Sequence, residues 1–506
     1  MRHLLAFLSL CALCAATALS ASAAQIRGGS IPTMQAARAA ALMRTPNMSG
    51  TRDFTVITRS KEHSAVVTLT NYFRSFGFVV TETPGRHNLI LHGTYEQAGR
   101  SARTGFVAAV TQRERFIRTS APISFPPAIS ALIKGTSFTP GLHARSLSTR
   151  PLATTYGPAT GYGPADVASI YDINPLYKAG ITGKGVKVAI AACGTVNASD
   201  VTNYGSTYGL PTPKIHYITV DGTTTFEDGE AVLDAERVYG TAPGADIFEY
   251  LVPDCTFSEL TDMFAQIAED ATKKHYAAVS HSYGFPEADY AYFGIGSDLT
   301  DEDAALSELA AQDIPVFASS GDNGSWGDLQ ENETDVLFPA SDPAVIAVGG
   351  TTVEENAIGN RLFEYGWGGS GGGVSDIFAI PSYQKIAGVA SGQFKNLPDV
   401  SMLADPNTGA AEYWANNDYG APALFAIGGT SVAAPTFTGV WTLVDAANTN
   451  AGLPYVQNAG AAIYRNRNSA FVDITAGANG FYATQKGYDN VTGVGVPDVA
   501  RLANSI

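Results

Sequence analysis

Ser431 lies in Gly428-Gly429-Thr430-Ser431-Val432-Ala433-Ala434-Pro435, preceded by the short apolar run Ala423 to Ile427 and followed by the apolar, Ala-rich stretch to Ala446. This pattern predicts a buried strand, a tight glycine turn and a buried helix, with Ser431 at the helix N-terminus and Pro435 in its first turn. Unpaired N–H groups and the positive end of the dipole favour negative charge there, which suits both an attacking oxygen and a developing oxyanion. A Ser-capped glycine turn with no chemistry has the same local signature.

A serine nucleophile needs a base. After residue 150 the histidines are His216, His275 and His281, and none stands in a His-Gly-Thr context opening a helix. A histidine triad is therefore not expected. Gly229-Glu230-Ala231-Val232-Leu233-Asp234 instead places two carboxylates four residues apart on one face of a predicted helix. Like charges so placed favour a shared proton, which raises one pKa and makes a base usable in acid. An acidic solvated face beside Glu227 and Asp228 is the plainer alternative. Asp322, in Ser320-Gly321-Asp322-Asn323-Gly324 after an apolar strand, could donate to an oxyanion if protonated, or could be an ordinary Asp turn.

The elements that must position these groups follow from the 506-residue chain, 45% apolar and long enough for two or three units. Residues 1–24 have a basic start (Arg2, His3), an apolar run from Leu4 to Leu19 and an Ala-Ser-Ala-Ala end, as a cleaved secretory signal has. A secreted, extracellular protein is expected. No other uninterrupted apolar stretch is long enough to span a membrane. Cys11 and Cys14 would leave with the signal, and Cys193 and Cys255 could form one disulfide or remain buried thiols.

Residues 1–150 carry 17 Lys and Arg against 5 Asp and Glu, a net +12, whereas residues 151–506 carry 14 against 42, a net −28. The basic residues are scattered without interleaved aromatics, so docking on the acidic body is expected rather than nucleic-acid binding. Residues 25–150 read as a small α+β module: a helix at Thr68–Phe76, strands at Gly77–Thr81 and Asn88–Gly93, and a second helix at Thr104–Val110. The proline-rich stretch from Ser120 to Pro164 reads as an extended linker reaching about residue 165.

From about residue 151 to 506, strand-like runs at 188–192, 245–252, 277–281, 314–319 and 345–348 alternate with helical stretches at 229–239, 260–273 and 301–312. This predicts a doubly wound, mostly parallel α/β sheet with its site beyond the carboxyl ends of the strands.

Taken in order, Glu230-x-x-x-Asp234, Ala242-Pro243-Gly244-Ala245, Ser280-His281-Ser282-Tyr283-Gly284, Ser320-Gly321-Asp322, Gly371-Gly372-Gly373-Val374-Ser375 and Gly429-Thr430-Ser431 resemble the sedolisin (serine-carboxyl peptidase) family, kumamolisin-like. The resemblance covers about residues 160 to 500. It implies a subtilisin-like fold with Ser431 as nucleophile, Glu230 as general base, Asp234 orienting Glu230 and Asp322 lining the oxyanion hole. It also implies a secreted, acid-active endopeptidase acting on protein or peptide substrates and made as a self-processing precursor, with residues 25–150 as activation propeptide and intramolecular inhibitor.

Phe471-Val472-Asp473-Ile474-Thr475 and Gly487-Tyr488-Asp489-Asn490-Val491-Thr492-Gly493 resemble the family's calcium loop. By position, Asp473 and Asp489 would bind one structural Ca2+ through side chains, and Ile474, Gln485 and Gly487 through carbonyls, an oxygen-only set suited to a hard cation. Tyr283 stands where many relatives carry the Trp of the substrate groove. A tripeptidyl peptidase of the same family and a catalytically silent extracellular binding protein on the same fold are the alternative readings.

Overall fold

The computed structural model describes residues 48, 50–83, 88–110, 114–139, 141–147, 160–327, 333–355, 361–386, 390, 392–415 and 422–506. The expected signal segment and linker residues 148–159 lie outside the described residues. Residues 46–109 and 116–506 form one compact unit. Of the other unit, residues 1–45 and 110–115, only Val110, Glu114 and Arg115 are described.

An eight-stranded sheet forms the body, in the order Arg361–Gly366, Val345–Glu355, Val316–Ser319, Val279–His281, Lys187–Cys193, Asp246–Val252 and Lys214–Thr219, with Val400–Leu403 also paired to Val345–Glu355. All pairings are parallel except that of the Arg361–Gly366 edge strand. Val188 to Ala192 are wholly buried, as a strand covered on both faces requires. Helices Gly229–Thr241 and Thr430–Asn450 pack on each other and on the sheet, as do Phe257–Lys274 and Gly296–Ala310. The fold is the subtilisin-like, mostly parallel α/β fold expected from the sequence. Each expected strand in the sheet and each expected helix around it is present, with ends shifted by up to seven residues, the strand expected at 345–348 running on to Glu355.

The N-terminal module is a four-stranded antiparallel sheet, ordered Val79–Glu82, Leu89–Gly93, Arg52–Thr58, Ile133–Thr136. The helix His63–Arg74 lays Val66, Leu69 and Phe73 into a core with Phe54, Val56, Leu91 and Phe138. Two expectations fail here. Thr104–Val110 is not a helix: Phe106–Val110 is a strand. The second helix is Tyr95–Ser101, fixed by a capping box in which Thr94 accepts from Gln97 N and Gln97 bonds back to Thr94 N. Nor is the proline-rich stretch linker from residue 120 onward. Pro127 opens a short helix, where its missing N–H costs nothing, and Ile133–Thr136 completes the module's sheet.

The module docks on the Phe257–Lys274 and Gly296–Ala310 helices. Thr136 N donates to Asp301 Oδ1 at 2.9 Å, Asn88 Nδ2 to Glu308 Oε2 at 3.0 Å, and Lys134 Nζ to the Ala304 carbonyl at 2.8 Å. Charge complementarity concentrates at Arg52. Burial opposes its charge, but Tyr95, Asp262, Asp221 and Glu259 outweigh that and hold its pKa above the usual value. Among the described residues no helix is long and apolar enough to cross a membrane.

Candidate active site

The strand Ala423–Ile427 ends in Gly428-Gly429, and the helix begins at Thr430. Gly429 has φ +113°, a backbone state that L side chains rarely adopt, so the turn requires glycine. Ser431 is thus the second helical residue and is wholly buried. Pro435 is the sixth helical residue, not a first-turn one as expected from the sequence, and has no N–H to give the Ser431 carbonyl four residues back.

Glu230 and Asp234 share one face of Gly229–Thr241, whose N-terminus is capped by Asp228 accepting from Glu230 N. Both are buried, which removes the solvated-face alternative. Burial, and next the neighbouring Glu230 charge, push the Asp234 carboxyl well above the usual range, opposed by a 2.6 Å hydrogen bond from Ser282 Oγ. The pair is therefore poised to hold a proton. Asp322 Oδ1 accepts from Thr430 N at 2.7 Å and Thr430 Oγ1 at 2.9 Å, and Thr430 Oγ1 accepts from Gly321 N at 3.0 Å. Asp322 is thereby locked to the residue preceding the nucleophile.

Ser282 joins the two halves: its side chain holds Asp234 and its carbonyl accepts from Ser431 Oγ at 3.3 Å. All four sequence-predicted residues meet here, but Ser431 Oγ is not on Glu230. Glu230 Oε2 accepts instead from Ser146 Oγ. Ser146 belongs to a segment of the same chain lying through the site. Its strand Arg145–Ser146 pairs antiparallel with Tyr283–Gly284. Leu147 N donates to the Ser282 carbonyl, and Ser431 N donates to the Leu147 carbonyl, both at 3.1 Å. Just upstream, Phe257 N donates to the Leu142 carbonyl and Ala144 N to the Cys255 carbonyl.

Tyr283 contributes its backbone to this groove. Its side chain is buried, donating to Asp228 Oδ2 and accepting from Cys193 N, both at 3.3 Å. Cys193 and Cys255 are joined as a disulfide, which resolves the alternative left open by the sequence. His281 is wholly buried with Nδ1 on the Ala191 carbonyl, and burial pushes its pKa down to about 4, so it is no base for this serine. Sequence reasoning missed Ser282, Ser146, Leu147 and Glu249. The last is a wholly buried carboxyl whose two oxygens have no hydrogen-bond partner among the described residues and whose charge, when ionised, adds to that felt by Asp234. Ser282 was visible only as part of a motif, and the others reach the site through packing that no local pattern records.

The expected calcium ligands gather in one loop cluster. Asp473 Oδ2 accepts from Gly487 N at 2.9 Å and Asp489 Oδ2 from Gln485 N at 3.0 Å. Among the described residues, none donates to the carbonyl oxygens of Ile474, Gln485 or Gly487. Two carboxylates and three uncommitted carbonyls fit a hard cation. Among the described residues no three His, Cys, Asp or Glu side chains converge, so an ion here would depend on those carbonyls.

The sequence profile of the subtilase family (Peptidase S8) matches residues 193–466. Kumamolisin of Bacillus sp. strain MN-32 is 33% identical over 389 residues, covering 72% of this chain and 65% of that protein. Sedolisin of Pseudomonas sp. strain 101 is 31% identical over 380 residues, covering 69% and 61%. The match thus spans just under two thirds of each relative's length. A solved structure of Pseudomonas sedolisin, described as a serine-carboxyl proteinase complexed with two molecules of pseudo-iodotyrostatin, superposes with a TM-score of 0.60 at 30% identity, covering 69% of this chain and 98% of that one. With the profile spanning more than half of the chain and Glu230, Asp234, Asp322 and Ser431 gathered at one site, the chain belongs to the subtilase family, as a sedolisin of the kumamolisin-like kind.

Proposed function

We propose that this protein is a secreted, acid-active serine-carboxyl endopeptidase made as a self-processing precursor. The observation that carries the reading is the Arg145–Leu147 segment, bound as a β-strand across the site with its Leu147 carbonyl on the N–H of the nucleophile. That is how an acyl donor is presented. In the reaction, Ser431 Oγ attacks the substrate carbonyl and gives its proton to Glu230, which Asp234 orients through their shared proton. The oxyanion meets the Ser431 N–H and the protonated Asp322. Glu230 returns the proton to the departing amine, and water then resolves the acyl-enzyme. The raised Asp234 pKa supports activity in acid, since rising pH strips the proton that the pair holds.

The docked N-terminal module, with its tail in the groove, is the intramolecular inhibitor. Leu142 to Leu147 run along residues 255–257 and then 282–284 towards Ser431, which supports a groove that admits more than three residues on the acyl side. This favours an endopeptidase over a tripeptidyl peptidase. Filled catalytic positions argue against a silent binding protein. One Ca2+ on Asp473, Asp489 and the carbonyls of Ile474, Gln485 and Gly487 would tie down the C-terminal loop.

The test compares N-blocked and free-amine peptides of equal sequence after acid treatment of the purified chain. Comparable cleavage of both is expected. Cleavage of the free-amine peptide alone, three residues in, would establish the tripeptidyl alternative, and cleavage of neither would remove the peptidase reading.

A further inference from the structure

Resting on the peptidase reading, we infer that the acyl-side pocket next to Ser431 takes a leucine-sized aliphatic side chain, that Gly284 sets its size, and that the first bond cut in the precursor is the one following Leu147. Leu147 is the single residue of the bound segment that makes both contacts of an acyl residue: its N–H is on the Ser282 carbonyl and its carbonyl on the Ser431 N–H. Ser146 and Arg145 fall further upstream by the strand register, opposite Tyr283 and Gly284. A shift by one residue would turn every side chain to the other face, so the register is specific.

Leu147 is 8% exposed, so its aliphatic side chain is almost wholly covered. A methyl group added to Gly284 would come within 3.3 Å of Leu147 Cδ1, 3.2 Å of the Phe338 carbonyl oxygen and 3.5 Å of Leu337 Cβ. Gly284 is not among the glycines in the positive-φ region that side chains avoid, so its missing side chain answers to space and not to backbone strain. The space it leaves is the space Leu147 uses. A charged side chain there would be buried without a partner, which a pocket of this kind rejects strongly.

In the cut, Ser431 Oγ bonds to the Leu147 carbonyl carbon as its proton passes to Glu230. The carbon–nitrogen bond to residue 148 breaks, that nitrogen takes the proton and leaves as an amine, and water hydrolyses the Leu147–Ser431 ester to a carboxyl group and free Ser431. The new N-terminus is Ser148 by sequence.

The experiment incubates the full precursor at pH 4, identifies the first new N-terminus by mass spectrometry, and in parallel measures hydrolysis of N-blocked peptides that differ only in the residue before the cut. Expected results are Ser148 as first N-terminus, no such product from Ser431→Ala, and kcat/KM at least about a hundredfold higher for Leu than for Asp. In Gly284→Ala the rate for Leu should fall about tenfold while that for Ala holds. Leu147→Asp should lose the cut, and the volume-conserving Leu147→Met should keep it, which separates pocket rejection from misfolding. Peptides cleaved normally while the precursor is first cut at another bond would overturn this inference and leave the peptidase reading standing. So would equal rates for Leu and Asp. Failure to hydrolyse any peptide would overturn both.

Discussion

Removing the Cys193–Cys255 disulfide should destabilise the protein by about 4 kcal/mol. The two cysteines are 62 residues apart. In the chain-entropy account, closing a loop of that length removes about 14 cal/mol/K from the unfolded ensemble, hence about 4 kcal/mol at 25 °C. The perturbation is Cys193→Ala with Cys255→Ala in a Ser431→Ala background, so that self-digestion does not intrude. Equilibrium urea unfolding is the assay. With m of about 3 kcal/mol/M, the midpoint should fall by roughly 1.5 M. The loss should also reach the site, because Cys193 N donates to Tyr283 and the Cys255 carbonyl receives Ala144 of the bound segment. An unchanged midpoint, or two titratable thiols in the unreduced native protein, would refute the reasoning.

Stability should fall as pH rises. Burial raises the Asp234, Glu236, Glu249, Asp298 and Glu302 carboxyls well above their unfolded values, so their contribution is complete below about pH 4 and is lost as pH climbs through the folded values. Melting temperatures of Ser431→Ala at pH 4 and pH 8 check this; a higher value at pH 8 would contradict it, and Glu249→Gln should flatten the slope. Ser146→Ala should free Glu230 and speed the self-cut by about ten- to a hundredfold, the worth of one hydrogen bond to a charged group, as read by precursor loss on gels; slower cutting would count against the blocking role. Chelation, and Asp489→Ala, should each lower the melting temperature of the calcium-loaded protein, whereas a value indifferent to both would exclude a structural ion at this loop.

The sheet was legible because continuous apolar runs such as Val188 to Ala192 admit few readings, and they alternate with helices of adequate length. Glu230, Asp234 and Ser431 were legible for a related reason: a helix face and a glycine turn are local devices that fix side-chain direction within a few residues. Prolines misled where they open a helix, as at Pro127, and where packing overrides their cost, as at Pro435. Phe106–Val110 shows how little a five-residue apolar run decides between helix and strand. Ser146, Leu147 and Glu249 were illegible because their roles arise from contacts across the tertiary fold. Glu230 and Ser146 are 84 residues apart, and nothing near either one records the other.

The most direct test of the account is the rate of N-blocked peptide hydrolysis from pH 3 to 8, for the acid-processed chain and for Ser431→Ala. Expected are a maximum in acid, a fall towards neutrality as the Glu230 and Asp234 pair loses its proton, and no turnover in the variant. A maximum near pH 8, or turnover by Ser431→Ala within about tenfold of the parent, would contradict it.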